Sequence, residues 1–328
     1  MRFGVIGSGS WATALAKILT DNGNSIGWWI RNESAIRHMQ VRHHNPQYLP
    51  SVYFDTNLLS LSVDVREVVE TSDCLVMAVP SAYATATLEI LDRTALEGKL
   101  VLSAIKGILP EQNLLLNDYL FQKFAFDKAD YFTVMGPCHA EEVAAEKLSY
   151  LTFSGQDETR TGEIASYFAT EYLNTVINQD IYGVQFAAIL KNIYALGAGI
   201  AHGLEYGDNF LSVLIANCAD EMAGFLLKAG LKSANYAASV YLGDLLVTCY
   251  SLYSRNRTFG NMIGKGYSVR SAQLEMNMVA EGYNASKSMY LINKEIGAEM
   301  PIADMVYRIL WENVKAGVGF KQIEPYLV

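Results

Sequence analysis

The sequence predicts an α/β amino-terminal domain with a doubly wound, mainly parallel sheet, followed by an all-α carboxyl-terminal domain. Its 328 residues favour about two domains. Short β-prone runs alternate with helical patterns as far as residue 179, which is typical of parallel sheets with crossover helices. From residue 180 only helical patterns remain, so we expect the domains to be residues 1–179 and 180–328.

The first strand, turn and helix carry a glycine-rich motif. Residues 2–7 are β-prone and run into GSGSWA at residues 7–12, where a helical pattern begins. Gly7 permits a tight turn, Gly9 lets the backbone approach a pyrophosphate, and Ala12 allows the helix to pack closely on the strand. The amino terminus of the helix attracts phosphate. This combination predicts a dinucleotide-binding Rossmann domain.

The end of the second strand, residues 25–30, bears on the choice of cofactor. An acidic residue here suits the ribose of NAD, whereas an arginine suits the 2′-phosphate of NADP. The chain has Arg31, with Glu33 as the nearest acid. The sequence therefore favours NADPH and leaves NADH open through Glu33, while simple solvation is the ordinary role for such an arginine.

Further strands are predicted at residues 74–79, 99–105, 131–135, 148–153 and 173–178, with helices between most of them, such as 81–91 and 111–121. Ligands of such sheets bind beyond the carboxyl ends of the strands. Lys106 follows one strand and could meet an anionic group, although a solvated loop lysine is commoner. Cys138 lies in a turn before a helix, where a lowered thiol pKa is compatible with reactivity, although packing is the commoner role.

In the second half, one lysine lies in an apolar helix. Helical patterns cover residues 184–202, 209–229, 233–241, 244–253, 270–277, 285–296 and 302–311. In the first of them Lys191 is the only permanently charged residue, and a helix that is apolar nearly all round is buried. A lysine there needs a partner, and burial would lower its pKa towards neutrality, where it can exchange protons. A lysine reaching back to water is the ordinary alternative, but small neighbours such as Gly197 and Gly199 indicate close approach by another group.

Two clusters could meet this lysine. Asp244 and Thr248 share one helical face at spacing i, i+4. Residues 254–257, SRNR, combine two arginines with amide and hydroxyl groups around a helix start, which suits phosphate binding. An exposed basic turn is the competing interpretation of the second cluster.

Composition narrows the class of protein. The net charge of −9 disfavours nucleic acid or an anionic membrane as a partner. The four cysteines show no metal spacing and fit a reducing cytoplasm better than a disulfide framework, and no metal site is expected. The chain begins with a strand rather than a signal peptide, and no uncharged apolar run is long enough to span a bilayer. We expect a cytoplasmic protein; a homodimer is compatible with the sequence, which leaves the oligomeric state open.

Motifs along nearly the whole chain resemble one family, the bacterial-type NAD(P)-dependent glycerol-3-phosphate dehydrogenases. They are GSGSWATALA, NPQYLP (45–50), VPS (79–81), KGI (106–108), GPCHAEEVA (136–144), LKNIYALGAGIAHGLEYGDN (190–209), GDLLVTCYSLYSRNR (243–257), VAEGY (279–283) and EMPI (299–302).

The resemblance implies roles for individual residues. Lys191 is similar to the family's proton donor and acceptor at C2 of the substrate. For the implied reaction we expect Asp244 to hold or tune Lys191, and Thr248 could extend that network. The implied substrate contacts are Lys106, Gly136, Cys138, Lys191, Asp244, Ser254, Arg255 and Asn256. The implied cofactor contacts are Gly7, Gly9, Ser10, Trp11, Arg31, Lys106, Ala140, Arg255, Val279 and Glu281. Cys138 departs from the family's serine or threonine, and a thiol is a weaker donor.

The activity implied by the resemblance is reversible hydride transfer between NAD(P)H and dihydroxyacetone phosphate, giving sn-glycerol 3-phosphate for glycerophospholipid synthesis. Two alternatives stay open: an NADPH-dependent reductase of another small keto acid, of the ketopantoate or hydroxyacid type, and a non-catalytic nicotinamide sensor. A panel of carbonyl substrates separates all three, because a sensor would turn over none of them.

Overall fold

The computed structural model describes residues 1–231, 235–276 and 280–328. It divides into two compact units, one of residues 1–105 and 114–181 and the other of residues 106–113 and 182–328. The short segment 106–113 therefore belongs with the helical unit, whereas the sequence pattern had placed it in the first domain.

The first unit contains an eight-stranded sheet. Its strands are β1 (Phe3–Ile6), β2 (Ile26–Trp29), β3 (Leu59–Ser62), β4 (Cys74–Met77), β5 (Leu100–Ser103), β6 (Tyr131–Met135), β7 (Ser149–Ser154) and β8 (Leu173–Asn178). The spatial order is β3-β2-β1-β4-β5-β6-β7-β8, and every neighbouring pair is parallel except β6 with β7. The prediction of a doubly wound, mainly parallel sheet is confirmed.

Seven helices of the first unit connect these strands or follow them. They are α1 (Ser10–Asp21), α2 (Glu33–Arg42), α3 (Val65–Glu70), α4 (Ser81–Leu88), α5 (Leu116–Phe124), α6 (Ala140–Ala144) and α7 (Glu158–Ser166). Strands β1, β2, β4 and β6 are buried along their whole length, so they read as continuous apolar runs. The chain order reverses between β1 and β4, which is where such sheets bind their ligands.

From residue 182 onward the long regular elements of the described second unit are helices, whereas its segment 106–113 forms turns. Its helices are α8 (Ile181–Gly203), α9 (Asp208–Lys228), α10 (Asp244–Tyr250), α11 (Arg255–Gly264), α12 (Val269–Glu275), α13 (Glu281–Ile296), α14 (Pro301–Trp311) and α15 (Ala316–Ile323). The predicted helix at residues 233–241 is not found in its described residues, which instead form a turn leading into one π-helical turn, Ser239–Gly243. This turn places Asp244 at the first position of α10.

Two helices, α8 and α9, are long and apolar enough to cross a membrane by length and composition alone. Protein buries 94% of the most apolar window of α8, which accounts for its composition without a membrane. Both helices also carry buried charged residues: Lys191 of α8 forms an ion pair, and Glu221 of α9 accepts hydrogen bonds from backbone N–H groups.

Candidate active site

The glycine-rich loop has the geometry that dinucleotide binding requires. Gly7 has φ +129°, and a Cβ there would lie 2.8 Å from the carbonyl oxygen of Ala78, so only glycine fits. A Cβ on Gly9 would meet nothing within 4 Å, so space is open beside the backbone at the amino terminus of α1. Ser10 and Trp11 begin that helix. A pyrophosphate fits this open side of the loop, against the positive end of the helix dipole.

Beyond β2, the two residues that bear on cofactor choice differ in their surroundings. Glu33 forms an ion pair with Arg37 at 2.8 Å, with side chains 69% and 72% exposed. Arg31 is exposed and makes no ion pair within the described residues. The arginine is the side chain at this strand end whose charge stays available to an anion.

The segment after β6 is shaped by a glycine. Gly136 has φ +130°, and a Cβ there would lie 3.1 Å from the carbonyl oxygen of Tyr150. Cys138 and Ala140 are buried in the hydrophobic core of the first unit. Burial in that core favours packing as the role of Cys138 and limits what its thiol could offer a substrate. Val279, a predicted cofactor contact, lies outside the described residues.

In the second unit, α8 and α10 bring together a buried ion pair. The Lys191 ammonium donates to Oδ1 of Asp244, and the two side chains are 5% and 1% exposed. The other carboxylate oxygen, Oδ2, is buried and accepts no hydrogen bond from any described residue. Since buried polar atoms are normally satisfied, Oδ2 is a position where a ligand donor would fit.

Thr248 supports this pair through the backbone. Its hydroxyl donates to the carbonyl oxygen of Asp244 at 2.5 Å, one helical turn back. The expected extension of the side-chain network to Thr248 is therefore not what the structure shows, because the hydroxyl contacts the main chain and not the carboxylate. This hydrogen bond stabilises the first turn of α10.

Asn192, beside Lys191, connects three segments of the second unit. Its Nδ2 donates to the carbonyl oxygen of Lys106 at 3.1 Å, and its Oδ1 accepts from Nδ2 of Asn256 at 2.9 Å. Oδ1 of Asn256 in turn accepts from the backbone N–H of Gly282 at 3.0 Å, next to Glu281. The sequence analysis did not predict a role for Asn192. Its position, as a second polar residue in the apolar pattern of α8, could have indicated one.

The amino terminus of α11 carries the other predicted substrate contacts. Ser254 caps the helix, its hydroxyl oxygen accepting from the N–H of Arg257 at 3.3 Å. Arg255 and Asn256 occupy the first two helical positions, the former half-buried and the latter buried. A ten-residue helix with an arginine at its positive end favours an anionic group there.

Glycines of α8 allow α11 to pack closely against it. A Cβ on Gly199 would lie 2.1 Å from the carbonyl oxygen of Arg257, and one on Gly260 would lie 2.1 Å from that of Leu196. The backbones of α8 and α11 are thus in direct contact. At Gly199 the close approach is made by α11, which fixes the arginine-bearing turn relative to Lys191, whereas a Cβ on Gly197 would face the side chain of Val306 in α14 at 3.3 Å.

Comparisons with known proteins cover nearly the whole chain. Models of the NAD-dependent glycerol-3-phosphate dehydrogenase amino terminus and carboxyl terminus match residues 2–161 and 180–319. Glycerol-3-phosphate dehydrogenase (NAD(P)+) of Bacillus subtilis (strain 168) is 34% identical over 320 residues, 97% of this chain and 92% of that protein. The crystal structure of a glycerol-3-phosphate dehydrogenase from Coxiella burnetii superposes with a TM-score of 0.90 at 25% identity, covering 98% of each chain. A ketopantoate reductase from Ralstonia eutropha JMP134 shares the fold alone, with a TM-score of 0.64 at 13% identity over 98% of this chain and 100% of that one.

Proposed function

The chain belongs to the NAD(P)-dependent glycerol-3-phosphate dehydrogenase family, and we propose that it interconverts dihydroxyacetone phosphate and sn-glycerol 3-phosphate. In the reducing direction NAD(P)H and one proton convert the ketone to the alcohol and leave NAD(P)+. We propose that residues 1–179 bind the dinucleotide and residues 180–328 the phosphorylated substrate.

The main support for this activity is the buried ion pair of Lys191 and Asp244, which can supply the proton that the reaction needs. The bound cofactor supplies the hydride. The ketone oxygen then needs a proton, and the Lys191 ammonium is a donor that Asp244 orients through their buried ion pair. Such positioned acid–base help contributes roughly 10²–10⁴-fold in rate. In the opposite direction the neutral amine accepts the proton from the alcohol.

The remaining acceptor of Asp244 supports direct contact with the substrate. Its Oδ2 has no donor among the described residues, and dihydroxyacetone phosphate carries a hydroxyl that can donate to it. A keto acid would present a carboxylate next to its carbonyl, and like charge beside Asp244 would oppose binding. Thr248 acts as a positioning residue, through the Asp244 backbone.

The amino terminus of α11 is the proposed phosphate site. Ser254, Arg255 and Asn256 present a guanidinium and the positive end of a helix to the phosphate, and both suit its negatively charged oxygens. Lys106, held to α8 through its carbonyl, adds a second cation for substrate and cofactor. Gly136 and Cys138 complete the proposed substrate contacts.

For the cofactor we propose a preference for NADPH over NADH. Glu33 is engaged with Arg37, whereas Arg31 is available for the 2′-phosphate. The full set of proposed cofactor contacts is Gly7, Gly9, Ser10, Trp11, Arg31, Lys106, Ala140, Arg255, Val279 and Glu281. The protein would act in the cytoplasm on these small molecules, without nucleic acid or membrane insertion, and a homodimer stays a prediction.

The test is oxidation of NADPH and of NADH by the purified protein with a panel of carbonyl compounds. We expect turnover with dihydroxyacetone phosphate, faster with NADPH than with NADH at low cofactor concentration. Ketopantoate and other 2-keto acids should give at most a small fraction of that rate. Preference for a keto acid, or cofactor binding without turnover of any carbonyl compound, would contradict the proposal.

A further inference from the structure

Three consecutive carbonyl groups of the glycine-rich loop each accept a hydrogen bond from a buried side chain. Nε1 of Trp28 donates to the oxygen of Gly7 at 2.7 Å, and Nδ2 of Asn45 donates to that of Ser8 at 3.1 Å. The hydroxyl of Thr13 donates to the oxygen of Gly9 at 2.9 Å. The loop is therefore held by side chains as well as by its own backbone.

Asn45 is the residue that links these contacts. Its Nδ2 also donates to the hydroxyl oxygen of Thr13 at 2.9 Å, so both N–H bonds of the amide are used. Its Oδ1 accepts from the backbone N–H groups of Gln47 and Tyr48 at 3.0 and 3.2 Å. The side chain is only 3% exposed, and all four of its hydrogen-bonding positions are satisfied by the protein.

A peptide group is planar and trans, so its N–H points away from its carbonyl. Fixing the carbonyls of Gly7, Ser8 and Gly9 therefore also fixes the directions of the N–H groups of the residues that follow each of them. Backbone N–H groups and the helix terminus are what such a loop offers to a pyrophosphate. A loop that is already fixed needs no ordering when the ligand binds, and this lowers the cost of binding.

We infer that Asn45 is a positioning residue for the dinucleotide, acting through the glycine-rich loop rather than by touching the cofactor. The sequence motif NPQYLP at residues 45–50 thereby acquires a role that none of the proposed site contacts supplies. This inference rests on the proposed dinucleotide binding and adds to it a residue from a separate segment, between α2 and β3.

The test is the dissociation constant of NADPH, measured by fluorescence titration on the whole protein, for wild type, Asn45→Ala and a matched control. Asn22→Ala is that control, because Nδ2 of Asn22 also donates two hydrogen bonds, to the carbonyls of Tyr167 and Ala169, at the other end of α1. Losing a buried donor is commonly worth a factor of about ten in affinity. We expect the dissociation constant to rise about tenfold in Asn45→Ala and to stay within twofold of wild type in Asn22→Ala.

Steady-state kinetics distinguish weaker NADPH binding from a general loss of stability. With Asn45→Ala, KM for NADPH should rise while kcat at saturating NADPH stays near wild type, a split that a general loss of stability would not produce. If Asn45→Ala does not fold, Trp28→Phe removes the donor to Gly7 and should also weaken NADPH binding, by at least threefold. Unchanged NADPH affinity in a folded Asn45→Ala overturns the inference, and where Asn45→Ala does not fold, unchanged affinity in Trp28→Phe overturns it. Failure of wild type to bind NADPH or NADH would overturn the proposed function instead.

Discussion

At the scale of single residues, the second unit contains two buried acids with different surroundings. Asp244 faces the Lys191 ammonium, so each charge offsets the desolvation of the other. Glu221, on α9, has no cationic partner among the described residues and accepts from the backbone N–H groups of Ile302 and Ala303 at 2.8 and 3.0 Å. One carboxylate belongs to the proposed chemistry, and the other caps the start of α14.

Glu221 leads to a prediction about pH. Burial raises its pKa to about 7 from an ordinary value of 4.5, against the opposing effect of the two backbone donors. The folded protein therefore holds this proton more tightly than the unfolded chain does. The free energy of unfolding should therefore fall by up to about 3 kcal/mol, on account of this group, as pH rises from about 4.5 to about 7. Above that pH it should level off.

Urea unfolding between pH 5 and pH 8 measures this effect. Glu221→Gln cannot ionise, so its stability should change less between pH 5 and pH 7 than that of wild type. The exposed Glu295→Gln in the same unit serves as control and should keep the wild-type pH dependence. Equal pH dependence in Glu221→Gln and wild type would show that Glu221 is not the group responsible.

At the scale of elements, the contact between α8 and α11 sets the geometry of the proposed substrate site. Glycines on both helices face the partner backbone, and a Cβ on Gly203 or Gly264 would also lie within 2.4 Å of a carbonyl oxygen across the contact. Because the obstructing atoms are backbone, a side chain cannot be accommodated by a rotamer change. The two helices would have to separate, moving Arg255 relative to Lys191.

We therefore expect Gly260→Ala to lose both stability and activity. Overpacking commonly costs about 1–3 kcal/mol, and this contact belongs at the upper end because backbone must move. Gly224→Ala, on the exposed face of α9 where a Cβ meets nothing within 4 Å, should instead stabilise by about 0.5–1 kcal/mol. Thermal unfolding of both variants and their kcat/KM for dihydroxyacetone phosphate check these expectations. Unchanged stability and activity in Gly260→Ala would contradict the close contact between α8 and α11.

At the scale of the whole molecule, sequence patterns with a local physical cause were predictable. The motif at residues 7–12 predicted the β1–turn–α1 unit because its glycines are needed within a few residues of each other. Strand β3 was missed, since its sequence LSLS is only partly buried and carries no strong apolar run. Lys191 was predicted to need a partner because a charge in an apolar helix is costly.

Contacts between distant segments were harder to predict. Asn192 forms hydrogen bonds with Lys106, 86 positions away in the sequence, and with Asn256, 64 positions away. The hydrophobic periodicity of a sequence does not indicate such long-range pairs. The assignment of residues 106–113 to the helical unit follows from contacts of this kind. Thr248 shows the limit of spacing arguments, because i, i+4 placement was correct while its hydroxyl bonds the backbone of Asp244.

Proton delivery by Lys191 is tested by the turnover of Lys191→Ala with dihydroxyacetone phosphate. The affinity of this variant for NADPH is measured as well, and the exposed lysine variant Lys228→Ala is the control. If Lys191 delivers the proton, kcat should fall by at least about 10²-fold, while NADPH still binds and Lys228→Ala behaves as wild type. Retained NADPH binding also shows that the variant is folded. A kcat within tenfold of wild type in a variant that binds NADPH normally would contradict the account.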